Sequence, residues 1–140
     1  DLGLGPTLTD LISEYHRRNS DLVITLDYDD SLELLSDMVA IHVYRIVQEC
    51  LTNVMRHARA NSVKVMVTRS RVDDDLVVIN VEDNGIGGQA EGEGFGVRAM
   101  RERVKNLGGC FSFESEPDQG VSVKASMPFI EKQQDEPRQD

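Results

Sequence analysis

No stretch of the 140-residue sequence is apolar over anything near the length of a transmembrane helix. No signal-peptide pattern opens it either, and it begins Asp1-Leu2 without Met, as an excised fragment of a larger protein would. Cysteine is scarce. Cys50 and Cys110 stand far apart with no CxxC partner, which argues against a zinc site. Both lie in apolar contexts and are expected to be small buried hydrophobes, as in a reducing cytosol. Positive charge is also short: 15 Lys and Arg face 25 Asp and Glu, a net charge of −10. Phosphate backbones call for clustered cations, so nucleic acid is excluded as the main partner. A nucleotide is not, because backbone N–H groups and one or two cations can hold phosphates. The sequence has neither GxxxxGK[ST] nor GxGxxG, which excludes a P-loop and the dinucleotide fingerprint. Internal repeats and interdomain linkers are absent as well, and the length suits one domain with one core.

What is present is punctuated periodicity. Leu8, Leu11, Ile12 and Tyr15 predict a helix over Thr7–Arg18. Alternation predicts a strand over Leu22–Tyr28, and a polar loop with a short helical turn follows to Asp37. A long helix is expected over Asp37–Ala60, capped by Ser36 or Asp37. Ser62–Ser70 reads as a half-buried strand, and the more continuously apolar Leu76–Val81 as a central one. Asp83 to Gly96 has no period and must be a long loop. Val97–Leu107 reads as a helix ended by Gly108-Gly109. Cys110–Ser115 and Val121–Pro128 read as strands joined by the turn Pro117-Asp118-Gln119-Gly120. Residues 131–140 are polar, and a disordered tail is expected there, leaving 1–130 as the domain. The order predicts an α+β, two-layer sandwich: a mixed, mostly antiparallel sheet with about three helices on one face.

At about 100° per residue, the helix over Val43–Arg59 has a broad apolar arc. Glu49, Asn53 and His57 follow at i, i+4 along its edge, beside Arg45 and Arg56. By itself the stripe also fits an ordinary amphipathic helix whose boundary residues bond to their neighbours. As a site wall, Glu49 and Asn53 offer oxygen ligands to a hard cation such as Mg2+, and Arg56 and His57 suit phosphate. Glu49 can also accept a proton. Asp83-Asn84-Gly85-Ile86-Gly87 ends the apolar strand, where Asp83 can accept from an exocyclic amine such as that of adenine. Gly94-Phe95-Gly96-Val97 opens a helix and so forms an anion site, with Arg98, Arg101 and Arg103 just inside. Each of these loops also reads as a plain turn or helix start.

Together the three elements resemble one family. YRIVQECLTNVMRHA (Tyr44 to Ala58) resembles the N-box of the GHKL, or Bergerat-fold, ATPases. DNGIG (Asp83 to Gly87) resembles their G1 box, and GFGVRAMRERV (Gly94 to Val104) with Leu107-Gly108-Gly109 resembles the G2 region. The pattern is nearest to the ATP-binding catalytic domains of two-component sensor histidine kinases of the nitrate- and hexose-phosphate-sensor type. It spans roughly Leu2 to Phe129.

The resemblance implies ATP and Mg2+ as ligands. Asn53 would bind the metal at the phosphates. Glu49, near the metal shell, would assist proton removal from the phosphoacceptor. Arg56 and His57 would lie near the phosphates. Asp83 would accept from the adenine amine, with Gly85, Ile86 and Gly87 shaping the pocket. The segment between Gly87 and Gly94 would form a short lid, and Gly94, Phe95, Gly96 and Val97 would approach the phosphates. Where the family often has Gly-Thr, this chain has Gly120-Val121, so a hydroxyl near the adenine is lost and modest affinity is implied. The implied acceptor is a histidine on an upstream dimerisation domain outside this chain. The parent would be a homodimeric inner-membrane sensor with a response-regulator partner, and this domain would be cytoplasmic. His16, His42 and His57 suit the acceptor role poorly. An anti-sigma-type serine kinase and a non-catalytic ATP-sensing module are the alternatives.

Overall fold

Alternation sets the strands. Ser62–Ser70 (β2) turns Val63, Val65 and Val67 inward and leaves Lys64 exposed. Leu76–Asp83 (β3) buries Val77, Ile79 and Val81, and Gly120–Pro128 (β5) buries Val123, Ala125 and Met127. Val23–Tyr28 (β1) and Cys110–Glu116 (β4) complete a five-stranded sheet in the order β1-β2-β3-β5-β4. Only β1 and β2 run parallel; the other pairs are antiparallel. β3 therefore has the central place that its apolar run predicts. The computed structural model describes residues 3–86 and 95–133.

Three α-helices supply the other layer: Leu4–Arg18 (α1), Asp37–Asn53 (α2) and Phe95–Asn106 (α3). A parallel β1–β2 pair needs a crossover, and α2 provides it. The core joins Leu8 and Leu11 of α1, Val43, Ile46 and Val47 of α2, and Met100 and Val104 of α3 to the inward strand residues. No described helix is long and apolar enough to cross a membrane.

Several ends differ from the sequence expectation. α1 starts at Leu4, so Pro6 falls inside its first turn, where a missing N–H costs nothing. Its first turn is capped from a distance: Glu33 accepts from the Gly5 N–H at 3.1 Å and also from the Tyr28 hydroxyl. Burial, and then this bond to Glu33, push the Tyr28 pKa above its ordinary value. Glu33 belongs to a 3-10 turn, Asp30–Leu34, whose cap is the Asp29 carboxylate on the Ser31 N–H. Ser36 caps α2, as the sequence suggests. α2 stays regular only to Asn53. Val54–Ala58 is a single π turn, and Arg59 then turns left-handed at φ 47°. Cys50 is buried as expected, but Cys110 is exposed, because β4 alternates and its odd partners Phe111 and Phe113 take the inward side.

Residues 131–133 carry no core side chain, yet Ile130, Glu131 and Lys132 are tied by backbone. Leu35 bridges to Glu131, the Lys132 N–H donates to the Leu34 carbonyl at 2.8 Å, and the Ser36 N–H donates to the Ile130 carbonyl at 2.7 Å. The remainder of the expected tail, 134–140, lies outside the described residues.

Candidate functional site

Glu49 and Asn53 stand one turn apart on α2, both half-buried at the edge of the core. Opposite them α3 begins. A Cβ on Gly96 would fall 2.8 Å from Glu49 Cδ and closer still to Oε1. Any larger residue there would have to push the end of the Glu49 side chain aside. The structure thus joins two boxes that lie more than forty positions apart in sequence. Cys50 seals the joint from below: its Sγ meets Met100 Sδ of α3 at 3.8 Å. Burial pushes the Cys50 thiol up to about 12, and the Glu49 and Asp83 carboxylates push the same way. Both site carboxylates therefore lie near one buried thiol.

Asp83 ends β3 and is half-buried. Its Oδ1 accepts from the Gly85 N–H at 2.8 Å and from the Val121 N–H at 3.4 Å. Among the described residues the second carboxylate oxygen has no donor. Burial raises the Asp83 pKa above its ordinary value, and the two backbone donors oppose the shift. Gly120 holds φ 81°, and a Cβ there would fall 2.8 Å from the Asp83 carbonyl carbon. The β4–β5 turn also reaches the loop through the Asp118 N–H, which donates to the Ile86 carbonyl at 2.6 Å.

The hairpin turn is what sequence reasoning missed. Pro117-Asp118-Gln119-Gly120 reads only as a turn, and Val121 only as a lost hydroxyl. In the fold Val121 gives Asp83 a main-chain donor, which any residue type supplies. No side-chain motif can signal such a bond.

The remaining expected residues divide. Gly85 is buried and Ile86 half-buried beside Asp83. Arg56 is exposed on the π turn. Val97 is 5% exposed and belongs to the core, so only its main chain can meet a ligand. Gly87, Gly94 and the side chains of His57 and Phe95 lie outside the described residues. Of the α3 arginines, Arg101 lies over the Phe111 ring at 5.0 Å, and Arg103 donates to His42 Nδ1 at 2.9 Å. A hollow of about 850 Å3 elsewhere, beside α1 and the 3-10 turn, is lined by Leu4, Glu33, Tyr44 and Arg45; of the residues singled out in the sequence it includes only Arg45, which stands beside the Glu49–Asn53 stripe.

No group of three His, Cys, Asp or Glu among the described residues could hold a metal by itself. The hard oxygen donors of Glu49 and Asn53 fit Mg2+ provided phosphate oxygens and waters supply the other positions.

The family model described as "Histidine kinase-, DNA gyrase B-, and HSP90-like ATPase" matches residues 38–131. Sensor histidine kinase LiaS of Bacillus subtilis (strain 168) is 29% identical over 141 residues, covering 99% of this chain and 38% of that protein. Signal transduction histidine-protein kinase/phosphatase UhpB of Salmonella typhimurium is 30% identical over 130 residues, covering 91% of this chain and 25% of that protein. This chain therefore spans less than two fifths of either relative. Among solved structures, the Erythrobacter litoralis EL346 blue-light activated histidine kinase superposes with a TM-score of 0.72 at 24% identity, over 91% of this chain and 42% of that one. That likeness shows the shared fold. With Asp83 presented at its strand end and Glu49 set against the start of α3, the chain belongs to the histidine kinase-, DNA gyrase B- and HSP90-like ATPases, as an ATP-binding domain of the sensor histidine kinase kind.

Proposed function

We propose that this chain holds Mg-ATP and delivers its γ-phosphoryl group to a histidine on a dimerisation domain of its parent protein. The approach of Gly96 to Glu49 carries the reading. The N-terminus of α3 is the positive end of a helix dipole and attracts phosphate. Glu49 and Asn53 beside it offer oxygen to a cation. An anion site against a cation site is what a metal–nucleotide complex needs. Bound with the nucleotide, magnesium would supply neutralisation of phosphate charge; the Asn53 amide oxygen and the Glu49 carboxylate would hold it.

At the other end, the uncommitted Asp83 oxygen accepts the adenine amino group, with Gly85, Ile86 and Gly87 forming the pocket. Arg56 and His57 meet the phosphates, together with the main chain of Gly94, Phe95, Gly96 and Val97. The acceptor imidazole displaces ADP from the γ-phosphorus, and Glu49 takes the proton that the imidazole gives up. Positioning and charge do the work, with no covalent intermediate on this chain. The parent is then a dimeric membrane sensor that feeds a response regulator; the words "sensor" in the name of LiaS and "signal transduction" in that of UhpB, with the partial coverage, support this.

Titration calorimetry of the chain with ATP, with and without Mg2+, tests the first half. Saturable binding that weakens on chelation is expected, and no binding would end the proposal. Incubation with labelled ATP and a separately supplied dimerisation domain tests the second half. Acid-labile label on its histidine is expected, whereas acid-stable label would point to a hydroxyl acceptor instead.

A further inference from the structure

Asn84 follows Asp83 directly, yet both ends of its side-chain amide and its own N–H are engaged within the fold. Its Oδ1 accepts from the Asn61 N–H at 3.1 Å and the Ser62 N–H at 3.0 Å. Its Nδ2 donates to Asn61 Oδ1 at 2.6 Å, and its own N–H donates to the Ser62 carbonyl at 3.2 Å. Four bonds thus join one loop residue to two neighbours at the start of β2. The Asn61 carbonyl in turn accepts from the Val23 N–H at 2.9 Å, which ties the same point to β1. Asn61 comes three residues after the π turn that carries Arg56 and His57. The clasp therefore pins the loop that starts just after Asp83 to the segment that leaves α2.

We infer that Asn61 and Asn84 are positioning residues for nucleotide recognition: their clasp fixes where the Asp83 carboxylate stands relative to the Asn53–Arg56 end of α2. The inference rests on the proposed ATP site. Asn61 lies between the boxes, so no motif marks it, and its side chain acts only through Asn84. All three clasp residues, Asn61, Ser62 and Asn84, are exposed. Exposed bonds of this kind contribute little to global stability, because water replaces them when they break. Their loss should register as misplacement of Asp83 rather than as unfolding.

The consequence is selective. A carboxylate at Asp83 accepts the 6-amino group of adenine and repels the 6-oxo group of guanine. Displacing Asp83 should weaken ATP and leave GTP nearly as weak as before. A general loosening of the domain would weaken both together.

The test titrates ATP and GTP in magnesium buffer against the chain and the variants N84A, N61A and N61D, each with its thermal midpoint measured without nucleotide. N84A loses three side-chain bonds and is expected to lose about tenfold in ATP affinity, with the ATP-to-GTP ratio falling toward one. N61A loses one bond and is expected to fall less in the same direction. N61D keeps an acceptor at Oδ1 and should restore ATP binding toward that of the unaltered chain. The double variant should be no worse than N84A alone, since both act through one contact. Unchanged ATP affinity in N84A and N61A overturns the inference. So does a parallel loss of ATP and GTP with a lowered midpoint, or failure of N61D to recover. Failure of the unaltered chain to bind ATP would instead sink the ATP site itself.

Discussion

Asp83 places a charge where solvent is scarce, and that sets an opposition between binding and folding. Its pKa in the fold lies above the ordinary value, chiefly through burial. The stability this group offers is therefore present below its unfolded pKa and is lost as pH rises through the raised one. At neutral pH the ionised carboxylate works against the fold. Asp83→Asn keeps an Oδ1 for the Gly85 and Val121 N–H groups but carries no charge. The variant should lose ATP binding in calorimetry while its thermal midpoint stays level or rises; a lowered midpoint would contradict this account. The two close-approach glycines divide differently. At Gly96 the obstacle is the end of a flexible Glu49 side chain, so Gly96→Ala should cost about 1 kcal/mol of stability. At Gly120 the obstacle is the Asp83 main chain and φ is 81°, so Gly120→Ala should cost about 3 kcal/mol. Denaturant unfolding of both variants checks the order, and Gly96→Ala should show the larger loss of phosphoryl transfer relative to its stability cost. Residue types singled out Asp83, Glu49 and Asn53 as candidates, because their chemistry resides in side chains. They could not announce Val121, whose part is a backbone N–H.

At the scale of elements, period and punctuation carried the strands well. Ser62–Ser70 has the bounds that its valine alternation predicts, since one face is buried and the other wet. Helix phase carried less. The stripe Glu49–Asn53–His57 assumes uniform turns, and the π turn at Val54–Ala58 widens the helix just where the third member falls. Nothing in VMRHA signals this turn or the left-handed Arg59 that follows it. The α2–α3 contact was equally silent. His42 accepts from Arg103 through a neutral ring nitrogen, and its pKa is lowered by burial first, then by Arg103 and Arg45. A lowered histidine pKa gives stability that is present above the unfolded value and lost as pH falls through the folded one. Between about pH 7 and 5 the unfolding midpoint should decline, and His42→Gln, which keeps an acceptor, should flatten that decline. Parallel profiles for both proteins would show that His42 has no part in it.

For the molecule as a whole, the order of elements and the three boxes gave the two-layer α+β form. Strand order was not legible. The placement of β5 between β3 and β4 comes from which hairpins find a neighbour, and that is decided in space. The three histidines of the chain bear on its behaviour alone. His16 lies on the exposed side of α1 with Nδ1 against the Leu22 carbonyl, and His42 is taken up by Arg103. The isolated chain should bind ATP and yet stay unlabelled when incubated with labelled ATP; label on His16 or His42 would refute this.

The corner formed by the 3-10 turn has a mechanical meaning. Glu33 grips the start of α1, and its neighbour Leu34 receives Lys132 from the far end of the described chain. Both ends of the described chain are fastened at this corner, and neither Asp83 at the end of β3 nor Gly96 in the first turn of α3 takes part in it. A pull on either end of the described chain is borne first by that corner and not by those two positions.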